Sequence, residues 1–252
     1  MIGRIERYLH EKIEHDGAIH ITLIDPDPEK TSPETAAHLA RDAESSGTTA
    51  IMIGGSTIVS TLHLDKVVKA IKKTVNIPAI LFPNNVTGIS KHADAIWFMS
   101  LLNSLDPYFI AGAQVLSAPI VQKYGLEPIP LGYIIVGEGG AASVIGRAVP
   151  IPFNKPELAA AYALAAQYLG MHFVYLEGGS GVKHPIPCEM IKTVKKATSV
   201  PLIVGGGMRT PGEVKERVKA GANIIVTGTI TEEEEVNVKR KISDLVKSAK
   251  LK

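Results

Sequence analysis

This sequence has little cysteine, a small net charge and few long apolar runs, and each of these shortages excludes a class of protein. The chain has one cysteine, Cys188, among 252 residues. A single cysteine excludes an internal disulfide framework and is typical of a reducing interior, which favours a cytoplasmic protein. The chain has 27 basic and 25 acidic residues, so its net charge is only +2. No basic stripe is available for nucleic acid, so any bound anion must be held by local groups.

Long uncharged apolar segments are scarce as well. The least polar window, residues 158–176, is rich in alanine and is interrupted by Gln167, Gly170 and His172. This composition predicts a buried helix followed by a buried strand rather than a transmembrane segment. Near the N-terminus, residues 2–13 place apolar side chains at helical spacing between charges, which predicts a packing helix and not a signal peptide.

Several catalytic and nucleotide-binding motifs are also missing. The sequence contains no GxxxxGK[ST] motif, and no GxGxxG follows its first predicted strand, so a P-loop or Rossmann interpretation has no support. No two of the eight histidines stand at the Hx₃H spacing of a helical zinc site. Cys188 falls where a helix is predicted to begin, and we interpret it as a structural residue.

The sequence does contain a regular alternation of short β-rich runs with longer amphipathic segments, which is the pattern of parallel βα units. Most of these runs are almost continuously apolar, as expected of strands covered on both faces. The eight runs are AIHITLID (18–25), TAIMIGG (49–55), PAILFP (78–83), AIWFMS (95–100), PIPLGYIIV (128–136), HFVYLEG (172–178), PLIVGGG (201–207) and NIIVTGT (223–229). We therefore expect an α/β protein, a (β/α)8 TIM barrel formed as one domain by residues 1–252.

The third βα unit of this barrel is irregular. Its connection, NNVTGISKHADA (84–95), is too short for a helix of ordinary length with its two loops. We expect the third outer helix to be missing or replaced by a loop, which would leave a slot between its neighbours. A degenerate short helix without a function is the alternative.

Two kinds of residue follow the predicted strands, where the active site of a parallel barrel lies. Glycines cluster after strands six, seven and eight, and free N–H groups in such turns can bind a phosphate. Glycines used only for tight turns are the alternative. Asp25 and Ser56 follow strands one and two, and their oxygens suit a hard cation such as Mg²⁺ together with substrate phosphates and water. An Asp in this position is also often just a helix cap.

The motifs at the strand ends occur in a characteristic order. They are LIDPD (23–27), GGS (54–56), YLEGGSG (175–181), GGGMRTPGE (205–213) and VTGT (226–229). In this combination, and over nearly its whole length, the chain resembles the geranylgeranylglyceryl phosphate synthases and their bacterial heptaprenylglyceryl phosphate relatives. The resemblance implies a modified TIM barrel without its third helix. It also implies an enzyme of archaeal membrane lipid synthesis that uses Mg²⁺ to join a polyprenyl diphosphate to sn-glycerol 1-phosphate through an ether bond.

The same resemblance implies the site residues. The metal ligands would be Asp25 and Ser56. The residues implied for glycerol phosphate binding are Tyr175, Leu176, Glu177, Gly178, Gly179, Ser180, Gly181, Gly206, Gly207, Gly228 and Thr229. Some members have a lysine where this chain has Leu23, which weakens any claim of a basic contact to the diphosphate from this strand. The LIDPD form resembles the second of two groups in the family, and homologous enzymes form dimers or hexamers, so we expect a homo-oligomer.

Glu177 directly precedes the glycines, which suggests a mechanism. If the glycines hold the phosphate of glycerol phosphate, Glu177 can reach the terminal hydroxyl of the same molecule and accept its proton. Tyr175 lies two residues earlier on the same strand face and would add a hydrogen bond. The slot would then hold the prenyl tail of geranylgeranyl diphosphate.

Three alternatives remain open at this point. The prenyl chain could have another length, such as heptaprenyl, because the depth of a slot is a property of packing. A phosphosugar isomerase or aldolase barrel would use an acid–base pair across the barrel without a metal or a slot. A non-catalytic phosphate-binding barrel is the third alternative. In addition, residues 136–152 form a longer connection than an ordinary βα loop and would serve as a lid or a subunit contact.

Overall fold

The structure is a computed structural model that describes residues 2–56, 60–228 and 238–250. Eight parallel strands close into a barrel in sequence order, with β8 pairing with β1. The strands are β1 Ile19–Ile24, β2 Ala50–Ile53, β3 Ala79–Leu81, β4 Ala95–Leu101, β5 Glu127–Ile135, β6 Phe173–Glu177, β7 Leu202–Gly205 and β8 Ile224–Thr227. The predicted (β/α)8 barrel is therefore confirmed, and each apolar run of the sequence supplies one strand.

Helices surround this barrel. They are α1 Arg4–Asp16, α2 Pro33–Ser45, α3 Thr61–Lys72, α4 Ala113–Tyr124, α5 Gly140–Ile145, α6 Pro156–Tyr168, α7 Cys188–Ala197, α8 Pro211–Ala220 and α9 Val238–Ala249. The alanine-rich window forms α6 followed by β6, as predicted. Across the described ranges, no helix is both long and apolar enough to cross a bilayer.

Side chains alternate between two cores along each strand. On β6, Phe173 and Tyr175 belong to the core inside the barrel, whereas Val174 and Leu176 pack in the core between the strands and the helices. This alternation directs Glu177, the last residue of β6, toward the mouth of the barrel.

Helix α1 precedes the barrel and closes its floor. Its Ile5 and Leu9 are buried in the inner core together with residues of the strands. The Glu127 carboxylate, at the start of β5, accepts the N–H groups of Ile5 and Glu6, each at 2.8 Å. These bonds satisfy two of the N–H groups that the first turn of a helix leaves without an intrahelical partner.

The third unit lacks its outer helix, as the sequence predicted. Strands β3 and β4 are joined through a single 3₁₀ turn, Val86–Gly88. After β4, a π-helical turn at Tyr108–Gly112 leads directly into α4. A slot lined mainly by apolar side chains opens between these two turns.

The long connection after β5, residues 136–152, includes α5 and is tied to the barrel. The buried Asn103 side chain donates from its amide nitrogen to the carbonyls of Ile135 and Val149, both at 2.8 Å. Its Oδ1 accepts the N–H of Ile135 at 3.1 Å. In this structure the connection is a wall of the barrel mouth, to which it contributes Ala142.

Candidate active site

The carboxyl ends of the strands surround a cleft of about 720 Å³. The structure brings most of the predicted site residues together here. Those that line the cleft are Asp25, Ser56, Tyr175, Glu177, Ser180, Gly206, Gly207 and Gly228.

The remaining predicted residues lie elsewhere. Leu176 is fully buried in the core beneath the helices, so its side chain faces away from the cleft. Gly178, Gly179 and Gly181 belong to the loop that carries Ser180, but they are not among the residues that line the cleft. Thr229 lies outside the described residues.

Two of the glycine turns approach each other so closely that no side chain fits between them. A Cβ on Gly206 would lie 2.7 Å from the Gly179 nitrogen and 2.8 Å from Glu177 Oε1. Gly206 also has φ +90°, a conformation that L-residues with side chains rarely adopt. The glycines therefore do more than turn the chain, because they bring backbone amides and the Glu177 carboxylate to one place.

Glu177 is buried, and neutral groups hold its carboxylate. The N–H of Gly179 donates to Oε1 at 2.6 Å, and the Tyr175 hydroxyl also donates to the carboxylate. Burial raises the pKa of Glu177, and the two hydrogen bonds oppose this rise only in part. A carboxylate with a raised pKa is a stronger base than an exposed glutamate.

An aromatic cluster forms the wall beside Glu177. The ring centroids of Tyr133 and Tyr175 are 5.2 Å apart, and the Phe82 ring lies 5.4 Å from Tyr133 and 5.7 Å from Tyr175. Burial, together with the nearby Glu177 charge, raises the pKa of both tyrosines well above 10.0. Both phenols therefore stay protonated and can donate hydrogen bonds.

Tyr133 and Phe82 were not predicted as site residues. Tyr133 lies within β5, and no motif surrounds it. A signal was present, because Ile129, Leu131 and Tyr133 alternate along β5 and all belong to the inner core. Counting back in steps of two from the end of the strand would have found this tyrosine.

Asp25 and Ser56 lie on the opposite side of the cleft. A Cβ on Gly55, directly before Ser56, would collide with the Asp25 carboxylate, so the aspartate rests on the backbone of the β2 end. Within the described part of the chain, no group of three His, Cys, Asp or Glu residues could hold a metal ion. One carboxylate and one hydroxyl still fit Mg²⁺, which commonly takes its other oxygens from substrate phosphates and water.

A third residue that was not predicted from the sequence, Lys30, supplies positive charge on this side. Lys30 lines the cleft, and its Nζ lies 3.8 Å from the Asp27 carboxylate. Leu23 also lines the cleft. Lys30 is exposed and follows the strand end by several residues, so no motif marked it.

The apolar slot of about 100 Å³ adjoins the cleft. Its walls include Ile96, Trp97 and Met99 of β4 and Ala113 of α4. The residues that line both the slot and the cleft are Gly55, Ser56, Phe82, Tyr133 and Ala142. The slot therefore meets the polar cleft between Ser56 and the aromatic cluster.

Comparison with known proteins agrees with this geometry. A geranylgeranylglyceryl phosphate synthase from Thermofilum pendens is 58% identical over 250 residues, which cover 99% of this chain and 96% of that protein. One of the same name from Pyrococcus furiosus is 59% identical over 231 residues, which cover 92% of this chain and 91% of that protein.

A solved structure is similar over the same length. The crystal structure of (S)-3-O-geranylgeranylglyceryl phosphate synthase from Thermoplasma acidophilum, in complex with its substrate sn-glycerol-1-phosphate, matches with a TM-score of 0.93. That chain is 39% identical to this one, and the match covers 99% of both. The resemblance found in the sequence is confirmed. The PcrB family model matches residues 9–249, and the chain belongs to the PcrB family.

Proposed function

We propose that this protein is a prenyltransferase that joins geranylgeranyl diphosphate to sn-glycerol 1-phosphate and releases diphosphate. One observation carries the proposal: a buried carboxylate, glycine turns and a carboxylate–hydroxyl pair surround one cleft that adjoins an apolar slot. The relatives reported above carry the name of this activity.

Glycerol phosphate would bind on the side of β6, β7 and β8. The turns after these strands provide backbone N–H groups and the Ser180 hydroxyl, which suit a phosphate. Glu177 lies at the start of the first turn, so a three-carbon alcohol held by its phosphate could place its far hydroxyl against the carboxylate.

Glu177 would act as the general base. It would accept the proton of the substrate hydroxyl while that oxygen forms a bond to C1 of the prenyl chain. The bond between C1 and the diphosphate oxygen breaks at the same time, and the diphosphate leaves with the electron pair. Tyr175 would orient the carboxylate through its hydrogen bond.

The diphosphate would bind on the opposite side of the cleft. Asp25 and Ser56 would hold Mg²⁺, which when bound supplies positive charge to the departing diphosphate. Lys30 would add a second positive charge at the rim. Tyr133 and Phe82 lie where the slot meets the cleft, and their π-systems would stabilise positive charge on the allylic carbon.

The slot would bind the prenyl tail. Burial of each CH₂ group stabilises a complex by about 0.8 kcal/mol, so a C20 chain would be held mainly by its tail. A heptaprenyl donor would need more apolar length along the same path. The phosphosugar isomerase alternative anticipated no slot, and the apolar walls beside β4 therefore favour the prenyltransferase.

Product analysis tests this proposal. The purified protein would be incubated with Mg²⁺, sn-glycerol 1-phosphate and an equimolar mixture of C15, C20 and C35 diphosphates, followed by mass spectrometry. We expect the C20 ether as the main product and no product with sn-glycerol 3-phosphate as the control. A dominant C35 ether would mean that the prenyl donor is heptaprenyl diphosphate. The absence of any ether would refute the proposal.

Self-association is part of the same proposal. The apolar side chains of Leu105, Val115, Val144 and Val149 are exposed. The N–H of Leu105 donates to the Arg147 carbonyl at 2.9 Å, so Leu105 lies beside residues 144–149. We expect sedimentation to give a mass of at least a dimer, and a monomer at micromolar concentration would contradict this expectation.

A further inference from the structure

The loop after β6, here called the glycine loop and defined as residues Gly178–Val182, is held firmly at its beginning. The N–H of Gly178 donates to the Gly205 carbonyl at 3.0 Å. The Gly178 carbonyl in turn accepts the N–H of Gly139 at 3.0 Å. The strand on one side and the α5 connection on the other therefore fix this end of the loop.

At the far end of the glycine loop the Val182 side chain is buried, but nothing packs against Gly181. A Cβ on Gly181 would meet no heavy atom within 4 Å. The residue is exposed and has φ +72°, so glycine is needed there for its conformation and not for close contact. Because glycine has no side chain, only an interaction with the backbone can hold the loop at Gly181.

Arg209 supplies that interaction from the loop after β7. Its Nη1 donates to the Val182 carbonyl at 2.9 Å, and its Nη2 donates to the Gly181 carbonyl at 3.3 Å. Hydrogen bonds from a charged donor are stronger than those between neutral groups. The planar guanidinium can bond two neighbouring carbonyls together, whereas an ammonium has no such fork.

Arg209 is itself held by the start of α8. The Glu213 carboxylate accepts the N–H groups of Arg209 and Thr210 at 2.8 and 2.9 Å. Thr210 Oγ1 accepts the N–H of Glu213, which completes a capping box. The guanidinium therefore extends from a backbone that the helix cap has fixed.

We propose that Arg209 is a positioning residue, which holds the far end of the glycine loop so that its N–H groups and Ser180 stay at the rim of the cleft. Arg209 is not among the described residues that line the cleft, so it acts through the loop and not by touching the ligand. This inference rests on the proposed function, because it assigns the loop to the phosphate of glycerol phosphate.

Steady-state kinetics would test this role with three variants. Arg209→Met removes both hydrogen bonds, Arg209→Lys keeps the charge without the fork, and Lys183→Met removes a charge from the exposed residue next to the loop. We expect Arg209→Met to raise KM for sn-glycerol 1-phosphate about tenfold or more, with KM for the prenyl diphosphate almost unchanged. Arg209→Lys should recover part of this loss, and Lys183→Met should resemble the parent.

Hydrogen exchange provides a readout that does not depend on activity. Amides of residues 179–183 should exchange faster in Arg209→Met and in Arg209→Lys than in the parent, and Lys183→Met should leave them unchanged. An unchanged KM and unchanged exchange in Arg209→Met would overturn the inference. So would equal effects of Arg209→Met and Lys183→Met, which would indicate a role of charge alone.

Failure of the proposed function would look different. A parent protein that neither binds nor converts sn-glycerol 1-phosphate would refute that function, even if Arg209→Met loosened the loop. A parent with normal turnover whose Arg209→Met variant loses thermal stability and affinity for both substrates equally would refute only the positioning role.

Discussion

Two buried glutamates lie at opposite ends of the barrel, and their surroundings differ. Glu6 belongs to α1 on the floor and is 1% exposed, with His172 Nδ1 at 2.7 Å and His10 Nε2 at 3.7 Å from its Oε1. Glu177 is 8% exposed at the mouth, and the hydrogen bonds to its carboxylate come from the neutral Tyr175 hydroxyl and a backbone amide. Histidine nitrogens therefore lie beside the carboxylate on the floor, whereas a phenol and a backbone amide hold the carboxylate at the mouth.

This difference separates a structural carboxylate from a reactive one. The floor is closed by α1, so Glu6 joins elements of the fold. Glu177 faces a cleft of about 720 Å³, and burial raises its pKa. A buried glutamate indicates chemistry when a ligand can reach it and when its protonation is tuned by burial.

The largest expected effect comes from exchanging each glutamate for glutamine. Glu177→Gln should lower turnover by about 10²- to 10⁴-fold, because it removes the proton acceptor. Calorimetry should still detect binding of sn-glycerol 1-phosphate. Glu6→Gln, the matched control, should keep turnover within a few-fold but lower the melting temperature, because it breaks a buried contact. Turnover of Glu177→Gln within a few-fold of the parent would rule out the general base.

The next largest effect concerns the other side of the cleft. Asp25→Asn should lower turnover by about a hundredfold, because Mg²⁺, whose charge would offset that of the leaving diphosphate, would be bound more weakly. Asp27→Asn is the control, because Asp27 accepts the N–H of Glu29 at 2.9 Å and lies near Lys30. Its turnover should change only slightly. Full activity of the parent in EDTA would contradict the proposed role of Mg²⁺.

Substitutions in the wall of the slot should have a more moderate effect, on the preference for prenyl chain length. Ala113→Leu would place three more carbons in the wall of the slot, and the ratio of kcat/KM for C15 over C20 diphosphate should rise about tenfold. Gln122→Leu adds the same side chain on the exposed side of α4 and should leave the ratio unchanged. An unchanged ratio in Ala113→Leu would mean that the tail binds elsewhere.

The smallest expected effect is on stability, and its sign follows from the raised pKa of Glu177. A group with a raised folded-state pKa contributes stability that is present below its unfolded pKa, here near 4.5, and is lost as pH rises through the folded pKa. Glu177→Gln should therefore be more stable than the parent at neutral pH, with a smaller difference below pH 4.5. Thermal unfolding at both pH values checks this, and a less stable variant at neutral pH would contradict it.

The fold was largely predictable because its determinants are local. Strands buried on both faces produce continuous apolar runs such as TAIMIGG, and the missing helix follows from the short connection at residues 84–95. Glu177 and Asp25 could be predicted in the same way, because the carboxyl ends of parallel strands meet at one face of a barrel.

Residues whose roles depend on closure of the barrel were not predictable. Phe82, which follows β3, becomes a neighbour of Tyr175 only after the strands curve round to enclose one interior, whereas Tyr133 lies beside Tyr175 through the pairing of β5 with β6. Arg209 was visible within a motif, but its bonds to the glycine loop depend on how two separate turns meet. The wall formed by α5 depends on Asn103, which precedes it by more than thirty residues in the sequence.

A crystal structure of this protein with sn-glycerol 1-phosphate is the most direct test of the arrangement proposed for the cleft. The phosphate should contact the turns after β6, β7 and β8, and the terminal hydroxyl should lie within hydrogen-bonding distance of Glu177. A phosphate bound beside Asp25, or a terminal hydroxyl pointing away from Glu177, would contradict the account.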